Sequence, residues 1–246
     1  MIKRFIALML IAGCAAGQGI LPGLMAHRNA GSDIASDLVA YWPFDGTTTD
    51  TAEGHTSTGG GTWVTGVNGV ATNACNIDSK DSPLIVNDDD DFSFVDGDGD
   101  VPFTISFWYK PESSIGNGFF PIEKSGEWSF QCVSPSIKIS LSSGHGNAQL
   151  IETIGTQIVV GTWAHWVLTY DGSENQSGMR LYLDGVLVST DTSASYDGMA
   201  NTAATLLVQK PVGAPVMHQI GDYDDLRIYR RELKTCDIDA LFHFFD

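Results

Sequence analysis

Aspartates are the most prominent residues in this sequence whose type and spacing could support chemistry. Residues 88–91 are four consecutive aspartates, and Asp96, Asp98 and Asp100 follow at alternate positions. Alternate aspartates are typical of the opening of a calcium-binding loop, because calcium takes carboxylate oxygens from a loop that wraps around it. The glutamate that would close such a loop is replaced by Phe107. We therefore interpret the cluster as solvated turn residues that precede a strand.

Short catalytic motifs are absent from the sequence. It contains no H-E-x-x-H zinc motif, no G-x-S-x-G nucleophile motif and no Walker loop. The six histidines share no spacing that would indicate zinc. The cysteines (Cys14, Cys75, Cys132 and Cys236) include no C-x-x-C pair, and their pairing does not follow from the sequence. The residues alone therefore do not indicate an enzyme.

Composition and charge limit both the architecture and the partners. The chain has 246 residues, of which 43% are hydrophobic and 17% charged, and it contains 27 glycines. This composition suits one sizeable core and disfavours a coiled coil or a charged helical bundle. The formal net charge of −17 disfavours a nucleic-acid partner, because the phosphate backbone would be repelled.

Hydrophobic alternation predicts β-strands through most of the chain. Residues 101–110 and 136–141 alternate strictly between apolar and polar positions, which is typical of strands with one buried face. Residues 162–170 are apolar on both faces, as expected in the middle of a sandwich. Asp184-Gly185 separates two apolar runs and predicts a two-residue type I′ hairpin.

The whole pattern predicts an all-β protein. Further strands are predicted at residues 38–44, 84–86, 148–154, 157–160, 206–210 and 225–229. Helical periodicity occurs only near residues 236–242. Many short strands with glycine-rich turns and no intervening helices predict a two-sheet antiparallel β-sandwich or jelly roll. We expect one domain, residues 36–246, after an amino-terminal segment, residues 1–35.

The amino-terminal segment has the features of an export signal or an anchor. Lys3 and Arg4 precede an apolar run, residues 5–13, and Cys14 follows in a sequence that resembles a bacterial lipobox. Under this interpretation Cys14 is lipidated and the protein is secreted or attached to a membrane surface. The alternatives are a retained arm that packs against a partner, and a membrane-spanning segment.

Five segments, in order, resemble the laminin-G-like, concanavalin A-like lectin/glucanase superfamily. They are residues 38–46, 103–108, 161–171, 181–185 and 220–233. Each motif is weak alone, but five in the same order are specific, and the resemblance covers residues 36–245. It implies two antiparallel sheets in a curved jelly roll, whose concave face or rim often binds glycans.

The resemblance also implies a calcium site. Many members of the superfamily hold one ion where the first strand's exit meets the last strand. By position this implies Asp45 and Asp50, with Asp224 or Asp225, as ligands. The alternative is that Asp45 only begins a turn and Asp225 pairs with a neighbouring arginine.

Catalysis by the superfamily's glycanases requires an acidic triplet that this chain lacks. Those enzymes carry E-x-D-x-x-E, which aims three acidic side chains from one strand into the cleft. The glutamates here are scattered, so we predict that the protein is not an enzyme and disfavour a glycoside hydrolase. Glycan binding would need displayed aromatic rings. Trp63, Trp128 and Tyr196 lie in Gly/Ser/Asp-rich surroundings that suit such a role, with core packing as the alternative.

Two classes of function remain after these exclusions. The first is a non-catalytic adhesin or carbohydrate-binding module, exported or lipid-anchored, with a glycan or cell-surface polysaccharide as its partner. The second is a structural, decoration or host-attachment protein of a bacteriophage virion, docked on other subunits through residues 1–35. Fold alone does not separate them, because one fold supports many functions.

Overall fold

The described part of the chain forms two antiparallel sheets of eight strands each. The computed structural model describes residues 32–78, 82–112, 117–133, 136–143, 149–155, 159–188, 191–192, 196–210 and 220–245. Strands are numbered in chain order. This architecture confirms the predicted all-β sandwich.

The first sheet has the strand order β15-β14-β13-β8-β18-β4-β3, and β1 also pairs with β18. Its strands are β1 (Leu38–Trp42), β3 (Thr62–Val64), β4 (Ala74–Asp78), β8 (Phe103–Pro111), β13 (Ala164–Tyr170), β14 (Met179–Leu183), β15 (Val186–Leu187) and β18 (Ile220–Tyr229). β18 pairs with β8 along one edge, while its other edge pairs first with β4 and then with β1. The sheet therefore brings the first and last strands side by side.

The second sheet has the order β16-β12-β11-β10-β9-β17-β5-β2. Its strands are β2 (Ser57–Gly59), β5 (Leu84–Val86), β9 (Asn117–Lys124), β10 (Trp128–Val133), β11 (Ser136–Ser142), β12 (Gln149–Gly155), β16 (Asp191–Thr192) and β17 (Leu206–Lys210). A small separate ribbon joins β6 (Val95–Asp96) to β7 (Gly99–Asp100), and 3₁₀ turns lie at Asp90–Phe92 and Gln176–Gly178.

The main core lies between the inner faces of the two sheets. Phe107 of the first sheet and Phe130 of the second meet edge to face, with ring centroids 5.2 Å apart. Tyr223 also joins the sheets, because its hydroxyl donates to the Pro121 carbonyl at 3.1 Å. Phe92 and Phe94, from the aspartate-rich segment, are fully buried in this core.

A smaller apolar layer covers the outer face of the first sheet. The helix α1 (Thr235–Phe242) packs there through Ile238 and Leu241. Beside it, the His165 ring lies 5.0 Å from Trp108 and 6.1 Å from Phe242, measured between centroids. His165 is fully buried, and its Nε2 lies 2.9 Å from Ser106 Oγ.

Several predicted elements agree with the structure, and one does not. Asp184 and Gly185 both have positive φ, 48° and 75°, as a type I′ hairpin requires. The strand predicted over residues 157–160 is not formed at Val159 and Val160, which are exposed outside any strand. Residues 157 and 158 lie outside the described residues.

The predictions for the amino-terminal segment are not addressed by the fold. Residues 1–31, including Cys14, lie outside the described residues, so lipidation, export and a docking arm stay predictions. Within the described residues, no helix has the length and apolar character needed to span a membrane. Cys75, Cys132 and Cys236 are free thiols, of which the first two are buried.

Candidate functional site

A polar groove of about 250 Å³ lies on the outer face of the second sheet. Along β10 and β11, core side chains alternate with outward ones, since successive residues of a strand face opposite sides. The outward side chains lining the groove include Glu123, Ser129, Gln131, Lys138 and Ser140. Strand register places Ser129 opposite both Glu123 and Ser140, and Gln131 opposite Lys138. Carboxylate, hydroxyl, amide and ammonium groups therefore share one surface.

The turn between β9 and β10 closes one end of this groove and contains a buried ion pair. Lys124 Nζ lies 2.5 Å from Glu127 Oε1, and both side chains are fully buried. The same ammonium donates to Ser93 Oγ at 2.8 Å and to the Thr202 carbonyl at 2.9 Å, and it lies 2.9 Å from Asp88 Oδ1. The ion pair therefore joins the groove to two neighbouring loops.

None of the three predicted aromatic residues has an exposed ring. Trp128 is 2% exposed, and its Nε1 donates to the Phe92 carbonyl at 2.8 Å, so its ring takes the core-packing role that was the alternative. An apolar ring in that position fills the core between β10 and the aspartate-rich loop. Trp63 is half-buried against the core. Tyr196 is half-buried too, and its hydroxyl donates to Asp100 at 2.5 Å.

Three of the four predicted calcium ligands lie near a bulge in β18. Register against β8 shifts between Asp224 and Arg227, and Asp225 takes a positive φ of 52°. Asp225 Oδ1 accepts from Arg227 Nη2 at 2.8 Å, while its Oδ2 is buried and has no hydrogen-bond partner. Asp224 Oδ2 accepts from the Val67 N–H at 3.0 Å, where a close approach to Gly66 leaves no room for a Cβ.

The carboxylates of Asp45, Asp224 and Asp225 lie close enough at this bulge to repel one another. Burial is the main cause that raises the pKa of Asp224 to about 8; the Val67 hydrogen bond lowers this pKa, and the nearby carboxylates of Asp225 and Asp45 raise it. Partial burial and the Asp225 carboxylate also raise the pKa of Asp45. A cation placed among these carboxylates would relieve this repulsion.

Asp50, the fourth predicted calcium ligand, organises a loop instead. Its Oδ1 accepts from the backbone N–H groups of Tyr41 and Ala52, and its Oδ2 from those of Gly54 and His55. Oδ2 also lies 2.7 Å from His55 Nδ1. Burial opposes ionisation of this carboxyl, but these hydrogen bonds outweigh it and lower the pKa of Asp50. The structure therefore groups Asp50 with His55 rather than with the carboxylates of the bulge.

The aspartate-rich segment is only partly solvated. Asp98 is exposed, as interpreted from the sequence. Asp100 instead accepts hydrogen bonds from the hydroxyls of Tyr170 and Tyr196 and from the Met199 N–H, at 2.5–2.9 Å. This carboxylate therefore fixes the segment around residues 196–199 against the sandwich.

The groove itself was missed by sequence reasoning, although a signal was present. Residues 128–132 alternate as Trp-Ser-Phe-Gln-Cys, which is the period of a half-buried strand. β9 was harder to recognise, because Pro121 lies within it and proline is unusual inside a sheet. Neither strand was predicted, so their outward side chains were not considered as a site.

Comparison with known proteins agrees with this architecture. A family model described as the concanavalin A-like lectin/glucanases superfamily, Laminin_G_3, matches residues 78–239. A search of curated proteins finds no match.

Solved structures similar to this chain include binding domains of toxins. A structure of botulinum neurotoxin type C, described with two ganglioside molecules, is 17% identical with a TM-score of 0.68, and the match covers 85% of this chain and 51% of that one. The binding domain of botulinum neurotoxin DC in complex with rat synaptotagmin II is 17% identical with a TM-score of 0.66, covering 85% and 52%. The binding domain of Paraclostridial Mosquitocidal Protein 1 is 17% identical with a TM-score of 0.67, and the match covers 85% of this chain and 52% of that one.

These structural matches establish likeness of fold. The chain spans about half the length of the toxin domains it matches. The family model covers residues 78–239, which is more than half of the chain, and the two-sheet sandwich is the fold that the sequence motifs imply. The protein therefore belongs to the concanavalin A-like lectin/glucanase superfamily.

Proposed function

We propose that this protein is a non-catalytic binding module that recognises glycans in the groove on the outer face of the second sheet. The observation that carries the proposal is the row of paired polar side chains across β9, β10 and β11. Sugar hydroxyls both donate and accept hydrogen bonds, so a site for them needs donors and acceptors at fixed spacing. Ser129, Gln131, Lys138 and Ser140 supply such groups from rigid strands.

The similar toxin domains support a binding role. For one, cell entry is described as dependent on interaction with two ganglioside molecules, and another is in complex with rat synaptotagmin II. A cell-surface glycan is the partner that the polar lining of this groove suits best.

The contacts of the Glu127 carboxylate favour binding over hydrolysis. Glycoside hydrolysis needs two carboxyl groups that face the scissile bond, one of them able to deliver a proton. Glu127 Oε1 instead accepts from Lys124, the Thr202 N–H and the Thr202 hydroxyl, and the residue is fully buried. A carboxylate held in this way suits a structural role.

The groove can be tested with substitutions that spare the core. Gln131→Ala and Lys138→Ala are each expected to weaken binding to the best ligand of a glycan array about tenfold or more, because each removes a hydrogen bond and leaves a sugar hydroxyl unpaired. Dissociation constants from calorimetry provide the measurement. Arg180→Ala is the matched control, since it removes one cation from a strand of the first sheet. Unchanged affinity in both groove variants, with the fold intact, would place the ligand elsewhere.

We further propose that a calcium ion is held at the β18 bulge by Asp224, Asp225 and Asp45. The buried Asp225 Oδ2, which has no hydrogen-bond partner, and the buried Asp224 carboxyl support this proposal, because Arg227 contacts only Oδ1 of Asp225 and calcium would supply positive charge to the other oxygens. Asp50 is not included, since its oxygens already accept backbone hydrogen bonds. The ion would stabilise the junction between the first and last strands.

Calcium at a free concentration 100-fold above its Kd is expected to raise the free energy of unfolding by about 2.7 kcal/mol. The Tm measured in calcium should therefore be higher than the Tm measured in chelator. Asp224→Asn should abolish this shift, whereas Asp98→Asn, which removes the same charge at an exposed position, should leave it intact.

The pH dependence of calcium binding provides a second test. Without the ion, the raised pKa means that folded Asp224 keeps a proton that the unfolded chain has lost. Its stabilising contribution is therefore complete below about pH 3.8 and lost as pH rises towards 8. Calcium binding should accordingly strengthen and release a proton over that range, and equal Tm values with calcium and chelator would contradict the site.

A further inference from the structure

His55, Asp89 and Asp91 form a cluster separate from both the groove and the β18 bulge. One ligand atom from each side chain, a ring nitrogen or a carboxylate oxygen, lies within 4.8 Å of the other two. His55 precedes β2, Asp89 is the residue before the 3₁₀ turn, and Asp91 lies within that turn. The cluster thus joins two segments that are distant in sequence.

The His55 imidazole is oriented into this cluster and fixed there. Its side chain is 8% exposed, and its ring lies 4.6 Å from the Phe92 ring, between centroids. Nδ1 lies 2.7 Å from Asp50 Oδ2. Both oxygens of the Asp50 carboxylate accept hydrogen bonds from backbone N–H groups, and an ionised carboxylate can only accept. Nδ1 therefore carries the ring proton and donates a hydrogen bond to Asp50. Nε2 is left facing Asp91 Oδ2 at 3.4 Å without a hydrogen bond.

Two acceptors that face each other across 3.4 Å repel unless a cation lies beside them. Neutral imidazole nitrogen and carboxylate oxygen together are ligands of zinc and similar transition metals, whereas calcium prefers oxygen alone. A carboxylate that holds the other ring nitrogen is the usual support of a metal-binding histidine. Asp89 is exposed, and its carboxylate already lies beside the other two ligand atoms because its Oδ1 accepts from the Asp91 N–H.

The surrounding contacts hold the aspartate turn in place. Asp89 Oδ1 accepts from the Asp91 N–H at 3.1 Å, and Asn201 Nδ2 donates to Asp90 Oδ1 at 3.1 Å. Arg230 Nη1 donates to the Asp90 carbonyl at 2.9 Å and lies 3.9 Å from Asp91 Oδ1, the carboxylate oxygen that does not face His55. This arginine therefore leaves Asp91 Oδ2 available.

We propose that His55, Asp89 and Asp91 bind a divalent transition-metal ion of the zinc type, with Asp50 orienting the imidazole and water completing the coordination. Three protein ligands leave one position of a tetrahedral ion open. The metal would link the loop before β2 to the segment before β6, and it would be independent of calcium at β18.

Zinc titration of the full-length protein by calorimetry, in the presence of calcium, tests the proposal. One zinc ion per chain is expected to bind, and Asp89→Asn should lower the zinc affinity at least about tenfold. His55→Gln should abolish it, while His243→Gln, at a histidine on the carboxyl end of α1, should not. Asp89→Asn keeps a side-chain oxygen that can accept from the Asp91 N–H, so it tests the ligand set even if the His55 variant is unstable.

Cobalt(II) substitution gives a second readout, because a tetrahedral site with one imidazole has visible absorption bands that the same variants should remove. The proposal is overturned by folded protein that binds no zinc at millimolar concentration, as an imidazolium bridging Asp50 and Asp91 would predict. It is equally overturned by zinc binding that persists in both site variants, or by calcium displacing zinc at equal concentration.

Discussion

Replacing Lys124 with methionine is expected to lower the free energy of unfolding by about 3–5 kcal/mol. The substitution keeps most of the side chain's volume but removes the ammonium, so the fully buried Glu127 carboxylate loses its cation. Ser93, Thr202 and Asp88 lose a donor as well. Urea unfolding monitored by tryptophan fluorescence measures the change.

The partner substitution separates the charge from the packing. Glu127→Gln added to Lys124→Met removes the uncompensated carboxylate and keeps an oxygen that can accept from Thr202, so the double variant should recover part of the loss. Lys138→Met is the matched control, because that lysine lies on the groove surface and is half-exposed. A loss below about 1 kcal/mol for Lys124→Met would show that the ion pair contributes little to stability.

His165 is expected to contribute a loss of stability as pH falls below neutral, opposite in sign to the contribution of Asp224. Burial, and to a smaller extent the nearby Arg227 guanidinium, lower the pKa of His165 from 6.5 to about 3. Below pH 6.5 the unfolded chain therefore binds a proton that the folded chain rejects. The contribution of His165 is complete above about pH 6.5 and is lost as pH falls towards 3, at about 1.4 kcal/mol per pH unit.

His165→Phe isolates this effect, since phenylalanine keeps a ring next to Trp108 and Phe242 but cannot take a proton. Relative to the unsubstituted protein, it should reduce the loss of unfolding free energy between pH 6.5 and 4 by about 3 kcal/mol. His243→Gln, which removes an imidazole whose side chain is 42% exposed, is the matched control. Chemical unfolding at each pH, with chelator present throughout, provides the comparison. Parallel profiles for His165→Phe and the unsubstituted protein would contradict the assignment.

The sandwich was predictable from the sequence because its central strands have complete patterns. β8 alternates strictly, and the two positive φ angles of the hairpin need residues such as Asp184 and Gly185. These signals are local, so one segment suffices to recognise them. The order of five such segments then identified the superfamily that the family model confirms.

The candidate sites were less predictable because they depend on contacts between distant segments. His55 had no distinctive neighbours in sequence, and its importance comes from Asp50 on one side and Asp91 on the other. Asp50 was placed in the calcium site by resemblance, but its carboxylate is used within its own loop. Trp128 lies in a Gly/Ser-rich segment that suggests exposure, yet β10 turns its ring inward. Composition describes a segment, whereas burial depends on the strand that it joins.

The pairing of β1 with β18 has a consequence for how the molecule is made. Leu38 is opposite Tyr229 in the register, so nearly the whole domain separates the two partners along the chain. During synthesis β1 can pair with β18 only after β18 has left the ribosome. Contacts between such distant segments are intrinsically slow to form, because a long loop must close first. The emerging chain therefore keeps β1 unpaired for most of its translation, a period in which a chaperone has an exposed segment to bind.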